Sequence, residues 1–233
     1  MEKEQLHVIV SPPGPETRSS VPGGVPLVFT HGYGGSTETW QHQLQAFSQT
    51  HSTVAWDLLG HGRSAKSEQP EDYSRELALD WLAAMMTRAG DAPVLIGHSL
   101  GGYLSQCYAV RNPEQVRALV LIATGPGYRD PEARERWNKG VRRVSKRFGL
   151  PPASTPLVEQ HDSLVMDHLD RLTMPVLQIA GSEDVAYHGG MKYLERRLIA
   201  VDSFIVPGGG HHVHETHSSE VNDAIRVFLD ALS

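Results

Sequence analysis

The sequence predicts an α/β protein with a mostly parallel central sheet, flanking helices and a short helical insertion. Short apolar runs alternate with longer amphipathic stretches at the spacing of strand and helix units. Glycine-rich turns carrying polar residues follow several apolar runs, at the sheet edge where such folds place their sites. The alternation stops between Gly125 and about Asp170, where no strand is predicted. We therefore expect a first core part (1–124), an insertion (125–170) and a second core part (171–233).

The first core part begins with a predicted edge strand at 6–10, followed by a loop rich in proline and glycine that extends to Gly24. The later strands are apolar runs, and the helices carry apolar side chains three and four residues apart. The predicted strands are 26–30, 52–58, 92–96 and 116–123. The predicted helices are 39–49, 74–89 and 103–111.

The second core part repeats the alternation and closes the fold. A strand is predicted at 175–180, a helix at 190–200 and a strand at 203–206. The closing helix, 220–232, has Val221, Ile225, Phe228 and Leu229 on one face.

Composition limits the class of protein. With 233 residues, of which 39% are hydrophobic, the chain can bury one sizeable core, and its net charge of −6 argues against general nucleic-acid binding. No apolar run approaches the roughly 18 residues of a membrane span, and the charged start at Met1 does not resemble a secretory signal. We therefore expect a cytoplasmic protein. A single cysteine, Cys107, excludes an internal disulfide and is predicted to be a buried apolar filler.

The most informative motif is Gly97-His98-Ser99-Leu100-Gly101-Gly102. An apolar strand precedes it and a helix follows it, so Ser99 is predicted to lie on a sharp strand-to-helix turn. Glycines around the serine remove side chains that would collide in such a turn. The hydroxyl of Ser99 is then exposed beside a helix N-terminus, which favours negative charge.

Two further polar groups follow predicted strands. Asp184 comes after the strand at 175–180, and His211 comes after the strand at 203–206. Their order along the chain, Ser99 then Asp184 then His211, is that of a nucleophile, acid and base triad. Asp57 and His61 also follow a strand, but we interpret them as residues that fix a tight turn.

With these motifs the sequence resembles the α/β-hydrolase superfamily, specifically its lidded esterase-like branch. The matching motifs extend over nearly the whole chain and are His31-Gly32, Asp57 to Ser64, Gly97 to Gly102, Gly181 to Asp184, and Gly210-His211. The resemblance implies catalysis by Ser99, His211 and Asp184 without a cofactor, with a small acyl compound as substrate. It also implies an oxyanion hole formed by the backbone N–H groups of Tyr33 and Leu100.

The resemblance also identifies the insertion as a lid over Ser99. Apolar residues at helical spacing give it one apolar face, which is expected to line the acyl pocket: Trp137, Val141, Val144 and Phe148. From Arg129 to Arg147 the segment has eight basic and three acidic residues, a local net charge of +5. This basic face is either a solvated surface or a site of attraction for an anionic substrate or membrane.

Alternatives remain open at this point. Glu183 could replace Asp184 as the acid, although the family pattern favours Asp184. Other histidines crowd the loop of His211, namely His212, His214 and His217. Their spacing suggests a metal site, but no His-Glu-x-x-His helix or second ligand set is evident, so no metal is predicted. The same triad could also serve carbon–carbon bond hydrolysis or a menaquinone-pathway type of elimination, and a non-catalytic binding protein is the alternative of another class.

Overall fold

The computed structural model describes residues 6–12 and 24–232, and a seven-stranded sheet forms the centre of this described part. The strand order is β1-β3-β2-β4-β5-β6-β7, with β1 antiparallel to β3 and every other pair parallel. The strands are β1 (Val8–Ser11), β2 (Leu27–Thr30), β3 (Thr53–Trp56), β4 (Val94–His98), β5 (Ala118–Ile122), β6 (Val176–Gly181) and β7 (Val201–Val206). The predicted edge strand and mostly parallel sheet are confirmed. Most of the loop predicted between 11 and 24, and the charged start at Met1, lie outside the described residues.

The strands from β2 to β6 are buried on both faces, which explains why they are apolar runs rather than alternating patterns. Successive side chains enter opposite cores, because side chains alternate across a strand. Val28 and Leu95 pack in one core, whereas Phe29 and Ile96 pack in the other. Cys107 is fully buried in the first core, as predicted, and burial raises the pKa of its thiol to about 12.

Helices cover both faces of the sheet. The helices α2 and α3 pack in the first core, and α1 and α9 pack in the second. The helices are α1 (Gln41–Phe47), α2 (Arg75–Ala89), α3 (Leu100–Arg111), α4 (Pro131–Ser145), α5 (Thr155–Val158), α6 (Leu164–Asp167), α7 (Val185–Glu195), α8 (Val213–Thr216) and α9 (Ser218–Ala231). Short 3-10 turns occur at Thr37–Trp40, Pro70–Tyr73, Pro113–Gln115, Lys146–Phe148, Pro152–Ser154 and Leu169–Arg171. In the described part, no helix is both long and apolar enough to cross a membrane.

Helix α9 begins two residues earlier than predicted, and two other helices begin earlier still. The helix α3 begins at Leu100, directly after Ser99, and α7 begins at Val185 rather than at residue 190. In α7 the low helix propensity of two adjacent glycines misplaced the prediction. A Cβ on Gly190 would lie 3.3 Å from the Cα of Gly125, so close approach of the loop after β5 accounts for glycine inside this helix.

The segment between β5 and β6 contains helices α4 to α6 and no strand among its residues, all of which are described. Its longest helix, α4, begins at Pro131 and is capped by the carboxylate of Asp130. Asp162 attaches the segment to α2 through two hydrogen bonds from Arg75, of 2.7 and 2.6 Å. These bonds lower the pKa of Asp162 to about 2. We call residues 125–170 the helical insertion below.

Candidate active site

Ser99 occupies the turn between β4 and α3 in a strained conformation. Its φ of 50° is unfavourable for a residue with a Cβ, at a cost on the order of 1–3 kcal/mol. The N–H of Ser99 donates to the Ile122 carbonyl (2.9 Å), and the Thr124 hydroxyl donates to the Ser99 carbonyl (2.8 Å). A Cβ on Gly101 would overlap the carbonyl of Thr30, so the turn has no room for a larger residue there. Strain maintained by such surroundings is typical of functional sites.

Asp184 and His211 come together because the loops after β6 and β7 are joined. The N–H of Glu183 donates to the Gly209 carbonyl (2.9 Å), and a Cβ on Gly181 would overlap that carbonyl. The Nδ1 of His211 lies 2.8 Å from the Oδ2 of Asp184. Because a carboxylate only accepts, Nδ1 is the donor and Nε2 of the neutral imidazole is an acceptor. The Asp184 side chain is 10% exposed, whereas Glu183, the alternative acid, is an exposed residue.

The neighbouring histidines, all within the described part, have partners other than Asp184. The Nδ1 of His212 lies 2.8 Å from Oε1 of Glu215, and His217 bonds to the adjacent threonine hydroxyl. His214 is fully buried, and burial lowers its pKa to about 3. Within residues 6–12 and 24–232, no three His, Cys, Asp or Glu side chains are arranged to hold a metal ion.

His98 connects the Ser99 turn to the loop of His211. It directly precedes Ser99, and its Nε2 donates to the His211 carbonyl (2.9 Å). His98 is buried, and burial keeps its pKa well below the ordinary value. The imidazole is therefore neutral at physiological pH, with its one proton on Nε2, where it donates to the carbonyl. The bond explains how strand β4 and the loop after β7 keep a fixed relative position.

Among the described residues, no hydrogen bond joins the hydroxyl of Ser99 to His211. The His211 ring instead stacks on Tyr187, with ring centroids 5.0 Å apart and planes inclined by 21°. Burial raises the pKa of Tyr187 to about 12, against a smaller lowering effect of a hydrogen bond with the Ser99 side chain. Catalytic hydrogen bonds are often long in the absence of a ligand and shorten when substrate binds.

The loop after β2 lies against the Ser99 turn. A Cβ on Gly32 would lie 3.1 Å from the Cβ of Ser99, which places Tyr33 beside the serine. In the part of the chain that the structure describes, neither the N–H of Tyr33 nor that of Leu100 donates a hydrogen bond. For Leu100 the reason is its position, since the first N–H groups of a helix have no partner within it. Both donors are therefore available for a negatively charged oxygen near Ser99.

His31 fixes this loop as a neutral imidazole. The N–H of Leu58 donates to its Nε2 (3.0 Å), so its Nδ1 carries the proton and donates to the Gly32 carbonyl (2.7 Å). Burial lowers the pKa of His31 to about 4. The structure gives His31 a role in positioning the backbone, since both of its ring nitrogens bond to backbone groups.

Asp57 and His61 fix a turn, as interpreted from the sequence. The carboxylate of Asp57 accepts from the backbone N–H groups of Thr37 (2.5 Å) and Arg63 (2.8 Å), and it is fully buried. The ring of His61 bonds to the Leu59 carbonyl (2.9 Å), and burial lowers its pKa to about 3.

A cavity of about 300 Å³ opens beside Ser99, between the core and the helical insertion. None of the described residues that line it carries a charge. They are Ser99, Leu100, Tyr103, Thr124, Gly125, Pro126, Gly127, Tyr128, Trp137, Val158, Gln160, Ala186, Tyr187, Gly189 and Gly190. The volume corresponds to about ten groups the size of a water molecule.

The expected apolar face of the insertion contributes to this cavity only in part. Trp137 lines the cavity, whereas Val141 is buried outside it, because one further helical turn carries it about 6 Å along α4. Phe148 departs further from the prediction, since it is 47% exposed. The helix α4 ends at Ser145, so the helical phase is lost before Phe148, which packs edge-on against Tyr33 at 5.6 Å.

Seven of the eight basic residues of the insertion divide into two groups, and the eighth, Arg134, donates to backbone carbonyls. Several have acidic partners: Arg129 with Asp167, Arg136 with Asp130 and Glu132, and Arg142 with Glu135 and Glu159. Four exposed residues have no ion pair within the described chain, and we call them the basic stripe: Lys139, Arg143, Lys146 and Arg147. Lys139 and Arg143 follow Trp137 by two and six residues, about 200° and 240° around the helix. These two residues therefore lie on the side of α4 opposite the cavity, whereas Lys146 and Arg147 follow the end of the helix.

A family model described as the alpha/beta hydrolase fold matches residues 25–157, more than half of the chain. The chain belongs to the α/β-hydrolase family. This membership confirms the family that the sequence motifs indicate.

Known relatives of this α/β-hydrolase agree on the fold. The mouse (Lyso)-N-acylphosphatidylethanolamine lipase is 36% identical over 102 residues, which span 42% of this chain and 29% of that protein. A thermophilic esterase from Thermogutta terrifontis superposes with a TM-score of 0.79 at 22% identity, covering 97% of this chain and 93% of that one. MenH from S. aureus superposes with a TM-score of 0.77 at 19% identity, covering 97% and 98%. These relatives include hydrolases, and at these identities the structural matches establish the fold alone.

The sequence motifs did not mark every residue of the α/β-hydrolase site. Tyr187 stacks on His211 and lines the cavity, and Gln160 reaches the same cavity from the helical insertion. No motif identifies either residue, although the position of Tyr187, three residues after Asp184, places it one helical turn from the acid. In the sequence His98 is only one residue of the Ser99 motif, because its bond to the His211 carbonyl depends on the folding of a distant loop.

Proposed function

We propose that this α/β-hydrolase is a serine esterase that cleaves carboxylic esters through Ser99, His211 and Asp184. The observation that carries the proposal is the 2.8 Å hydrogen bond between His211 Nδ1 and Asp184 Oδ2, formed beside the strained turn of Ser99. A serine hydroxyl is a weak nucleophile at neutral pH and needs a base. An imidazole oriented by a carboxylate is such a base.

In the proposed reaction, Ser99 Oγ attacks the ester carbonyl while His211 Nε2 accepts its proton. Asp184 keeps the proton of His211 on Nδ1 and stabilises the imidazolium that forms. The imidazolium then donates its proton to the departing alcohol, which leaves an acyl group on Ser99. Water hydrolyses this acyl-enzyme with His211 again as the base, and the serine is regenerated.

The N–H groups of Tyr33 and Leu100 are proposed to stabilise the oxyanion of the tetrahedral intermediate. Their support is their position beside Ser99 and their lack of other acceptors in the described chain. Loss of one such donor typically costs about 100- to 1,000-fold in rate. Both are backbone groups, so the glycines that shape the two loops are the residues on which the oxyanion hole depends.

The cavity supports an uncharged acyl group as the part of the substrate that binds next to Ser99. The described residues of its lining include aromatic, aliphatic and amide side chains and no charged one. A buried charge without a partner costs several kcal/mol, so a carboxylate or ammonium within the acyl group would be disfavoured. The volume of about 300 Å³ accommodates an acyl chain of up to about ten carbons. We propose that the helical insertion acts as a lid by forming one wall of this cavity through Trp137.

The central experiment compares wild type with Ser99→Ala on chromogenic esters of two to twelve acyl carbons. The variant should lose roughly 10⁶-fold in kcat and keep its thermal stability, because the substitution removes a single hydroxyl from a half-buried turn. A fluorophosphonate should label wild type at Ser99 and leave the variant unlabelled. Activity should be highest for uncharged chains that fit the cavity and should fall for longer chains.

Two outcomes would contradict the proposal. Ester hydrolysis that survives in Ser99→Ala would exclude Ser99 as the nucleophile. A wild type that neither hydrolyses any ester nor reacts with the fluorophosphonate would favour the carbon–carbon hydrolase, elimination or non-catalytic alternatives.

A further inference from the structure

The ring of Tyr187 stacks nearly parallel on the imidazole of the proposed base, His211. Among the described residues, the other aromatic rings in contact with this imidazole are tilted from it. The Tyr187 ring lies at 5.0 Å and 21° from the His211 imidazole, whereas the rings of His98 and His212 are tilted from it by 53° and 88°. The remaining partner, Asp184, binds the imidazole at its edge through Nδ1. The face of His211 is thus covered by the phenol ring.

The first turn of α7 positions both the proposed acid, Asp184, and the ring of Tyr187. Asp184 is the N-cap residue of α7, and the N–H of Tyr187 donates to the Asp184 carbonyl (3.2 Å). The helix is fixed to the sheet by His188, whose Nε2 donates to the Gly181 carbonyl (2.9 Å). A shift of α7 would therefore move the carboxylate and the phenol together relative to His211.

We propose that Tyr187 is a positioning residue that fixes the ring plane of His211 and stabilises its imidazolium form during ester cleavage. This inference rests on the proposed function, in which His211 carries a positive charge after accepting the proton of Ser99. A cation over an aromatic face is stabilised by the ring quadrupole, with a magnitude of about 0.5 to 2 kcal/mol, which is about two- to thirty-fold in rate.

The other groups that face His211 cannot replace this contribution. His98 and His214 are buried, and burial lowers the pKa of each, so both are neutral neighbours of a charged His211. His212 is engaged with Glu215. Burial raises the pKa of Tyr187 to about 12, so its phenol is neutral over the working pH range and its effect does not titrate.

Three variants separate the contacts of Tyr187. Tyr187→Phe and Tyr187→Leu both lose the hydroxyl that interacts with Ser99, but only the leucine variant loses the aromatic face. Tyr128→Leu is the matched control, because Tyr128 lines the same cavity and its ring contact in the described chain is with Trp137, at 6.0 Å. Circular dichroism and Tm establish that each variant is folded before kinetics are compared.

The measurements are kcat and KM on one short uncharged ester across pH 5.5–9, and the rate of Ser99 labelling by a small fluorophosphonate. Relative to Tyr187→Phe, Tyr187→Leu should have an about ten-fold lower kcat/KM, with most of the loss in kcat, and Ser99 should be labelled more slowly. The acid limb of its curve of kcat/KM against pH should lie at lower pH, because the imidazolium form of His211 is less stabilised. Tyr128→Leu should change KM and leave the acid limb in place.

The proposal is overturned if Tyr187→Phe and Tyr187→Leu have the same kcat and the same acid limb. It is also overturned if Tyr187→Leu changes only KM, which is the effect expected of a residue that does no more than line the cavity. An unreactive wild type overturns the proposed function, and with it the role of Tyr187. An active wild type with indistinguishable Tyr187 variants overturns only the role of Tyr187.

Discussion

The buried histidines make the free energy of unfolding depend on pH, and His214 provides the clearest test. His214 lies between the rings of Trp40 (4.7 Å) and His98 (4.3 Å), and both of its ring nitrogens are buried without a hydrogen-bond partner in the described chain. Burial lowers its pKa to about 3, with nearby His212 and His211 adding to the effect. In the unfolded chain the pKa returns to about 6.5.

The direction of this pH dependence follows from how many protons the folded and the unfolded protein bind. Between pH 6.5 and 3 the unfolded chain binds a proton at residue 214 that the folded protein does not bind. The free energy of unfolding is therefore highest above pH 6.5 and falls as pH is lowered toward 3. At pH 5 the folded imidazole is still neutral, so the loss depends only on the unfolded pKa and is about 2 kcal/mol.

Other buried histidines behave in the same way, among them His31 and His61. His31 and His61 have pKa values lowered by burial to about 4 and about 3. With His214 they make the protein about 6 kcal/mol less stable at pH 5 than at pH 7.5, which is comparable with the whole stability of a typical domain. We expect acid unfolding to begin near pH 5.

The perturbation is His214→Phe, which keeps an aromatic ring between Trp40 and His98 and cannot titrate. Urea unfolding followed by circular dichroism at intervals from pH 7.5 to 5 should show a loss of stability about 2 kcal/mol smaller than in wild type. His168→Gln, which removes an exposed imidazole, is the control and should follow wild type. An unchanged pH dependence in His214→Phe would refute the assignment of a neutral buried histidine. If the variant differs from wild type in stability at pH 7.5, that difference reflects packing around residue 214. The change in the free energy of unfolding between pH 7.5 and 5 is the quantity that decides.

Two further predictions concern the site and the insertion. His211→Gln should lower kcat for esters roughly as far as Ser99→Ala, because members of a triad act as a unit, whereas His212→Gln should keep most of the rate; a dead His212→Gln enzyme would move the base by one residue. Reversal of charge at two residues of the basic stripe, Lys139→Glu with Arg143→Glu, should affect kcat/KM for neutral and anionic esters equally, since both residues lie on the far side of α4 from the cavity. A selective, salt-sensitive loss with the anionic ester would show instead that the stripe recognises substrate charge.

The fold was predictable because its strands are short apolar runs separated by helices. The order of Ser99, Asp184 and His211 at strand ends was predictable for the same reason, since the carboxyl ends of parallel strands share one edge. Boundaries were less predictable where tertiary contacts override local preference. Gly190 lies inside α7 because a neighbouring loop needs the space, and no local pattern carries that information.

Side chains that depend on distant segments were not predictable. The choice of His211 over His212 and His214 rested on one glycine, whereas the structure distinguishes them by their partners. Val141 shares a helical face with Trp137, yet it lies outside the cavity, because periodicity defines a direction around the helix and does not define where the cavity ends. Phe148 follows a change from α-helix to a 3-10 turn that the apolar spacing does not reveal.

The basic residues of the insertion lie away from the cavity, and this arrangement limits what can determine the choice of substrate. The inner side of α4 presents Trp137 to a cavity without charged walls, and its outer side presents Lys139 and Arg143 to solvent. A charged group on the substrate's acyl part would lose its hydration on entering this cavity and would meet no partner there. Under the proposed esterase function, selection among acyl groups would depend on size and apolar contact. The local charge of +5, the most conspicuous feature of the segment in the sequence, lies outside the described lining of the cavity.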